Sequence, residues 1–206
     1  MFRIFIAFIA VLLIFKGSFY EYIWAFGLTA LAFLLDGVDG YVARKFNESS
    51  KFGAMLDIMS DRIVENTFWV AFSALGWLPV VFPLIAITRG FITDGFRSIA
   101  MEKGYTAFGK KSMQDDKFGH FICCSNFSRA TYAVTKVLAF LLMIVTHVPS
   151  ISFKWQVTSQ TLANVFVVIA IEFCVIRGLP VVFEGKKFFE KEETTEKNQN
   201  CQTCNA

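Results

Sequence analysis

Long apolar segments are the feature of this sequence that most restricts how the chain can fold. Between Met1 and Phe15 the one charged residue is Arg3, and the segment from Tyr22 to Leu35 carries no charge at all. Hydrophobic residues make up 55% of the 206 residues, more than a soluble domain usually carries. Segments of this length and character are typical of helices that cross a membrane. The sequence therefore predicts an all-α, polytopic membrane protein.

The apolar segments predict six transmembrane helices. They are expected at about residues 1–15, 19–46, 51–75, 79–104, 118–148 and 154–182. The first segment has the basic start and apolar run of a secretory signal, but no small-residue cleavage site follows Phe15, which favours a membrane helix. After the sixth segment the chain becomes charged and then rich in Asn, Gln and Thr. We therefore expect a membrane domain over residues 1–185 and a flexible tail over residues 186–206.

The distribution of Lys and Arg predicts the orientation in the membrane. Loops at one set of helix ends hold most of these residues, whereas the opposite loops hold only Lys16 and Lys154. Because positive residues are retained on the cytoplasmic side, both termini are expected in the cytoplasm. The lipid bilayer is thus the expected environment, and no nucleic-acid partner is expected. The lone C-x-x-C pair, Cys201 and Cys204, lacks the further ligands of a zinc site.

Four acidic residues interrupt the apolar pattern between the second and third predicted helices. Asp36 and Asp39 are three residues apart, and Asp57 and Asp61 are four apart, so each pair shares one helix face. If residues 47–50 form the turn of an antiparallel helix pair, the two pairs face each other. Carboxylates that converge at low dielectric repel one another, and shared divalent cations relieve that repulsion. The spacing therefore predicts a metal site of four carboxylates, open towards the cytoplasmic side.

Small residues accompany these acids on the same helix faces. Gly40, Ala43 and Gly53 leave space beside the carboxylates, and Arg44 offers a bidentate grip on a phosphate. A buried ion-pair network that only joins two helices is the alternative. Arg44 and Arg62 cannot neutralise four acids, however, and small residues next to the acids leave a cavity. The pattern therefore favours a ligand site over a purely structural one.

The pattern D-x2-D-G-x2-A-R-x8-G-x3-D-x3-D runs from Asp36 to Asp61 and resembles the signature of the CDP-alcohol phosphatidyltransferases. The resemblance implies transfer of the phosphatidyl group from CDP-diacylglycerol to an alcohol, with release of CMP, in phospholipid biosynthesis. It also implies two divalent metal ions, magnesium or manganese, and it allows a homodimer. By this resemblance the metal site comprises Asp36, Asp39, Asp57 and Asp61, with Asp61 also the general base, while Gly40, Ala43, Arg44 and Gly53 bind CDP-diacylglycerol. Relatives usually carry an N-terminal segment with an Asn, a Thr and an Arg. Only the Arg has a counterpart in this chain, which is Arg3.

The fourth predicted helix bears on the acceptor alcohol. Its polar half is similar to the corresponding region of phosphatidylglycerophosphate synthases within that family. Arg89 and Arg97 are eight residues apart and share one helix face, and Arg129 on the fifth helix could join them. A phosphorylated acceptor needs such a cationic pocket, whereas a neutral polyol does not. Glycerol 3-phosphate is therefore the expected acceptor, bound by these three arginines. The stretch F-G-A-M-L-D-I-M-S-D-R is also similar to phosphatidylinositol and phosphatidylinositol-phosphate synthases, which makes an inositol compound the alternative.

Two further classes of protein would also carry acids within a membrane. A cation-binding transporter would line an ion pathway with them, and a scaffold would keep them for metal-stabilised folding. A pathway needs polar groups towards both membrane faces, but comparable acids are missing from the outer halves of the fourth to sixth predicted helices. Metal-dependent release of CMP would distinguish an enzyme from both alternatives.

Overall fold

The computed structural model of the protein describes residues 2–46, 51–102, 126–149 and 153–204. Within these ranges the chain forms helices and no strand, which confirms the predicted all-α class. The helices are α1 (Phe2–Lys16), α2 (Phe19–Phe46), α3 (Lys51–Ala74), α4 (Val81–Glu102), α5 (Asn126–Thr146) and α6 (Phe153–Cys204).

The helix bounds agree with the sequence except near the end of the chain. The predicted start of the fifth helix, residue 118, lies outside the described residues. Helix α6 continues through Pro180 to Cys204, whereas the sequence predicts a flexible tail from residue 186. A proline removes one backbone hydrogen bond without ending every helix, and the segment beyond it contains many Glu and Lys residues, which are good helix formers. The domain boundary after residue 185 stays a prediction.

Two helical segments in the described part of the chain are long and apolar enough to cross a membrane. These are Phe19–Gly37 in α2 and Lys154–Val182 in α6, and a shorter apolar helix covers Ala130–Thr146. These segments agree with the prediction that the chain is a membrane protein. Six membrane crossings, with both termini in the cytoplasm, stay a prediction from the sequence.

The chain divides into two compact units, one of residues 1–87 and 133–171 and the other of residues 88–132 and 172–206. The first unit has an aromatic centre. The Phe68, Phe72 and Phe140 side chains are fully buried there, and the ring of Trp69 packs edge-on against Phe140 at 4.9 Å between ring centroids. Phe33 joins them from α2 at 5.9 Å from Phe140. Contacts between these rings therefore join α2, α3 and α5 within this unit.

Helix α1 has one narrow buried face and one broad exposed face. Arg3, Ala7, Ala10 and Ile14 follow one another at helical spacing, and all four are buried. The small alanines let α1 come close to its neighbours, α2 and α3. Large apolar residues such as Phe5 lie exposed on the other face, as expected next to lipid. The buried face of α1 thereby carries Arg3 into the interior of the first unit.

A glycine ends α3 where the sequence predicts a break. Gly76 has a φ of +74°, its N–H donates to the Ser73 carbonyl, and the Trp77 N–H donates to the Phe72 carbonyl. This pair of bonds is the Schellman arrangement, completed by stacking of the Phe72 and Trp77 rings. Trp77 also stacks on the imidazole of His147 with 3.9 Å between ring centroids. His147 therefore packs against the turn that ends α3.

Candidate functional site

Three of the four predicted acids meet in the first unit. Asp36 comes from α2, Asp57 and Asp61 come from α3, and one carboxylate oxygen of each lies within 4.8 Å of the others. Their side chains are 37%, 54% and 46% exposed, respectively, so the cluster is open to solvent or substrate. Asp39 belongs to α2, but its side chain lies outside the described part of the structure. Helical spacing within α2 and α3 thus places these three acids at one site.

Arg3 of α1 lies among these three carboxylates. Its Nη2 donates hydrogen bonds to Oδ1 and to the backbone oxygen of Asp57, each at 2.9 Å. Its Nη1 contacts Oδ1 of Asp36 and lies 2.9 Å from Oδ1 of Asp61. The side chain of Arg3 is only 4% exposed. One guanidinium therefore touches all three acids of the cluster.

Sequence reasoning missed this role of Arg3, which it treated only as a counterpart of an N-terminal family residue. A signal was present, because Arg3 is the single charge in the first apolar segment and a buried charge needs a partner. The spacing of Arg3, Ala7 and Ala10 also places the charge on the face that packs closely. What the sequence could not supply was the partner, which lies 54 residues away along the chain.

A second ionic cluster lies one helical turn further along α3. The Glu65 side chain is 4% exposed, and its Oε2 accepts a hydrogen bond at 3.0 Å from the Nζ of Lys136 in α5. Nη1 of Arg62 lies 3.5 Å from the same oxygen. Lys136 also lies over the Phe33 ring, 5.8 Å from its centroid. Glu65 therefore holds two cations close to the acid cluster, a role that the sequence had not indicated.

The donor set of the acid cluster suits a hard divalent cation. Asp36, Asp57 and Asp61 bring three negative charges and Arg3 brings one positive charge, which leaves two negative charges among these four side chains. Carboxylate oxygens are the ligands that magnesium and manganese prefer. The residues present therefore fit the metal site that the sequence predicts.

The predicted nucleotide-binding residues are only partly described. Gly53 lies exposed in the first turns of α3. Gly40, Ala43 and Arg44 belong to α2, but their side-chain positions lie outside the described part of the structure. Their role in binding CDP-diacylglycerol therefore stays a prediction.

The predicted acceptor residues belong to the second unit. Arg89 of α4 packs over Gly178 of α6, where a Cβ atom would come within 2.8 Å of the arginine Cγ. The Nε of Arg89 is buried and has no hydrogen-bond partner in the described part of the chain. The side chains of Arg97 and Arg129 lie outside that part. Whether the three arginines form one pocket thus stays a prediction, but Arg89 has a donor left for an anion.

A further arginine of the second unit is buried without having been predicted as functional. The guanidinium of Arg177, in α6, lies over the Tyr132 ring at 5.4 Å from its centroid, and the residue is 7% exposed. Sequence reasoning counted Arg177 only among the positive residues that set the orientation. Arg177 precedes Gly178 in the sequence, and a glycine within an apolar helix often marks a place where neighbouring groups pack closely. This position could have indicated that Arg177 is packed against its neighbours.

Comparison with known proteins gives a consistent assignment. A family model described as CDP-alcohol phosphatidyltransferase matches residues 1–176. A CDP-diacylglycerol--glycerol-3-phosphate 3-phosphatidyltransferase of Mycoplasma pneumoniae is 35% identical over 72 residues, which is 35% of this chain and 32% of the relative. A putative cardiolipin synthase of Mycobacterium bovis is 31% identical over 84 residues, 41% of this chain and 40% of the relative.

An inositol enzyme is also similar over a shorter stretch. A CDP-diacylglycerol--inositol 3-phosphatidyltransferase of Candida albicans is 46% identical over 41 residues, 20% of this chain and 18% of the relative. The chain thus spans less than half the length of the curated relatives that it matches.

Proposed function

Because the chain belongs to the CDP-alcohol phosphatidyltransferase family, we propose that it transfers the phosphatidyl group of CDP-diacylglycerol to an alcohol and releases CMP. The observation that carries this proposal is the convergence of Asp36, Asp57 and Asp61, three acids of the family pattern, at one site. The names of the relatives from Mycoplasma and Mycobacterium support a place in phospholipid synthesis.

The proposed reaction is an in-line displacement at the phosphorus that carries the lipid. The acceptor oxygen forms a new bond to that phosphorus, the bond to the bridging pyrophosphate oxygen breaks, and CMP leaves with the electron pair. Asp36, Asp39 and Asp57 would be the principal metal ligands, and Asp61 would take the proton of the acceptor hydroxyl. Two bound divalent cations, magnesium or manganese, would neutralise the pyrophosphate and the departing CMP. Gly40, Ala43, Arg44 and Gly53 would receive the CDP part of the substrate.

Glycerol 3-phosphate is the proposed acceptor. The buried Nε of Arg89, with no hydrogen-bond partner in the described ranges, suits a phosphate on the acceptor. Arg97 and Arg129 would complete the pocket. The name of the Mycoplasma relative, a glycerol-3-phosphate enzyme, supports the same choice. An inositol compound is the second candidate, favoured by the similarity to the Candida enzyme.

The proposed location is the bilayer, with the active site facing the cytoplasm. The apolar segments Phe19–Gly37 and Lys154–Val182 support insertion into a membrane. The cytoplasmic side follows from the distribution of Lys and Arg in the sequence. A homodimer stays a prediction.

The test is an acceptor panel with the purified protein in detergent. The protein is incubated with CDP-diacylglycerol and glycerol 3-phosphate, myo-inositol, inositol phosphate or serine, and CMP is measured with magnesium, with manganese and with EDTA. We expect metal-dependent CMP release that glycerol 3-phosphate stimulates most.

The panel also separates the competing proposals. CMP release with free inositol but not with glycerol 3-phosphate would overturn the acceptor. Folded protein that releases no CMP with any acceptor and either metal would favour a transporter or scaffold instead. The Glu21→Gln variant is the control for loss of an acid outside the cluster, because it removes a partly buried acid that pairs with Lys16, at the opposite end of α1 from Arg3.

A further inference from the structure

We propose that Arg3 is a built-in counter-ion of the acid cluster, which competes with divalent cations for the carboxylates and withdraws from them when the metal binds. This inference rests on the proposed metal-dependent function. It assigns to Arg3 an effect on metal affinity and on the stability of the metal-free protein, separate from any contact with substrate.

The geometry places the guanidinium where it competes with a shared cation. Nη1 and Nη2 of Arg3 lie against Oδ1 atoms of Asp36, Asp57 and Asp61, at 2.9 Å in the latter two cases. The same three carboxylates supply oxygens that lie within 4.8 Å of one another. A magnesium ion shared by these carboxylates would bind their oxygens at about 2.0–2.1 Å. It would then place two positive groups side by side at low dielectric, and this repulsion favours withdrawal of Arg3.

Burial explains why Arg3 stays in the cluster when no metal is bound. A charged side chain that is 4% exposed needs partners, and the three carboxylates equally need a cation. Separating them would leave four charges poorly compensated. In the metal-free protein the ion pairs therefore stabilise the packing of α1 against α2 and α3.

The ion pairs of Arg3 do not neutralise the acid cluster. Two negative charges remain among the side chains of Asp36, Asp57, Asp61 and Arg3. A divalent cation would neutralise them, so the exchange of guanidinium for metal is electrostatically favourable.

The ionic cluster around Glu65 differs from the acid cluster around Arg3 in its burial and in its balance of charges. Glu65 lies between Lys136 and Arg62 and is almost fully buried. Its oxygen is therefore shielded, and it supplies no ligand to the group of acids around Arg3. Arg3 contacts each of Asp36, Asp57 and Asp61, which makes its removal a specific test.

The experiment measures metal binding without substrate. Binding of Mn²⁺ to the full chain in detergent is followed by electron paramagnetic resonance for the wild type, Arg3→Gln and Lys16→Gln. The control removes an exposed positive charge from the opposite end of the same helix. We expect Arg3→Gln to bind Mn²⁺ about tenfold more tightly, the effect of removing one charge-assisted contact of ordinary strength. Lys16→Gln is expected to bind as the wild type does.

Thermal unfolding gives a second readout. In EDTA, Arg3→Gln is expected to melt at a lower temperature than the wild type, because the three acids lose their counter-ion. Saturating Mn²⁺ is expected to remove most of that difference. If Arg3→Gln cannot be purified, Arg3→Lys decides the question. Lysine keeps the charge but has one nitrogen for three carboxylates, so a severalfold tighter Mn²⁺ affinity is expected.

Two results would overturn the inference, and only one of them would also overturn the proposed function. Wild-type protein that binds Mn²⁺, with an Arg3 variant that binds it equally or less tightly, would show that Arg3 does not compete with metal, while the proposed function would stand. Folded wild-type protein that binds no Mn²⁺ would overturn both the inference and the metal-dependent function.

Discussion

Asp61 and Glu65 lie one helical turn apart in α3, yet their carboxylates are in different situations. Asp61 is about half exposed and contacts Arg3. Glu65 is buried between Lys136 and Arg62. A carboxylate that must accept a proton and approach a substrate has to be accessible, whereas one that only positions cations does not. At the scale of single residues, accessibility therefore separates the proposed base from its neighbour.

Replacing the proposed base tests this distinction. We expect Asp61→Asn to lower CMP release by about 100-fold or more, since an amide cannot accept the proton of the acceptor. Expression, membrane insertion and melting temperature are expected to change little, because asparagine has the same shape. Turnover close to that of the wild type would remove Asp61 from the role of base. Glu21→Gln, at the other end of the first unit, serves as the control.

Arg89 offers a test of the acceptor. Its buried Nε has no hydrogen-bond partner in the described ranges, and the side chain is held over Gly178. We expect Arg89→Ala to raise the KM for glycerol 3-phosphate by about tenfold or more, the loss of a charge-assisted hydrogen bond. The KM for CDP-diacylglycerol is expected to stay the same, as in the control Lys154→Ala. Equal increases in both constants would show that Arg89 acts on packing and not on the acceptor.

At the scale of helices, the turn that ends α3 helps position the acids that this helix carries. The hydrogen bonds of Gly76 and Trp77 close the last turn, and the ring of Trp77 rests against Phe72 and His147. A helix that ended one residue earlier or later would change these contacts. Since Asp57 and Asp61 belong to the same rigid helix, the turn at Gly76 helps fix their position against Arg3.

Substitution of the turn glycine isolates the backbone contribution. Gly76 has a φ of +74° and open space where a Cβ would lie. Gly76→Ala is therefore expected to destabilise the protein by about 1–2 kcal/mol through backbone strain alone. Gly27→Ala, in the interior of α2 and also facing open space, is expected to stabilise it by about 0.5–1 kcal/mol. Chemical unfolding in detergent measures the free energy of unfolding of both variants. Equal changes in Gly76→Ala and Gly27→Ala would contradict the role of the turn.

The stacked pair of Trp77 and His147 predicts a pH dependence. Burial lowers the pKa of the His147 imidazole below its usual 6.5, although a bond to the Met143 carbonyl opposes this. The folded state thus favours neutral histidine, and its contribution to stability is present above pH 6.5 and is lost as the pH falls below it.

We expect the melting temperature of the wild type to fall between pH 7 and pH 5 more than that of His147→Gln. Trp77 fluorescence is expected to report the same transition, since the two rings are in contact. Parallel pH profiles for the two proteins would show that His147 does not contribute.

At the scale of the whole molecule, the functional assignments lie mainly before the last third of α6. The family match ends at residue 176, and Arg177 and Val181 of α6 are buried. The first unit contains Arg3 and the described acids, and the second contains Arg89 and Arg177. Residues after 185 carry none of the proposed ligands.

Truncation tests this division of the chain. A chain ending after residue 185 is expected to insert into membranes and to release CMP at a rate within about twofold of the full chain, because residues 186–206 carry none of the proposed ligands and lie beyond the family match. A chain ending after residue 170 is the control and is expected to be inactive, since it lacks Arg177 and the apolar end of α6. Loss of CMP release in the longer truncation would assign a functional role to the tail.

The sequence predicted what depends on local spacing and not what depends on distant contacts. Asp36, Asp57 and Asp61 could be placed together because only four residues separate α2 from α3 in the sequence and helical spacing gives the faces on which the acids lie. The contact of Arg3 with Asp57 spans 54 residues, and that of Lys136 with Glu65 spans 71. Such contacts depend on how helices pack, which spacing within one helix does not determine. The break at Gly76 was predictable, because a glycine cap needs only local geometry.

The order of α1, α2 and α3 along the chain has a consequence for synthesis. Ionised acids within an apolar chain are costly to bury unless a cation pairs with them. Arg3 precedes Asp36, Asp57 and Asp61 in the sequence, so translation delivers the positive charge before any of the negative ones. When the α2 and α3 acids emerge, a cation that can pair with them has already been made. The protein therefore carries a counter-ion for its acidic residues before it meets a metal ion.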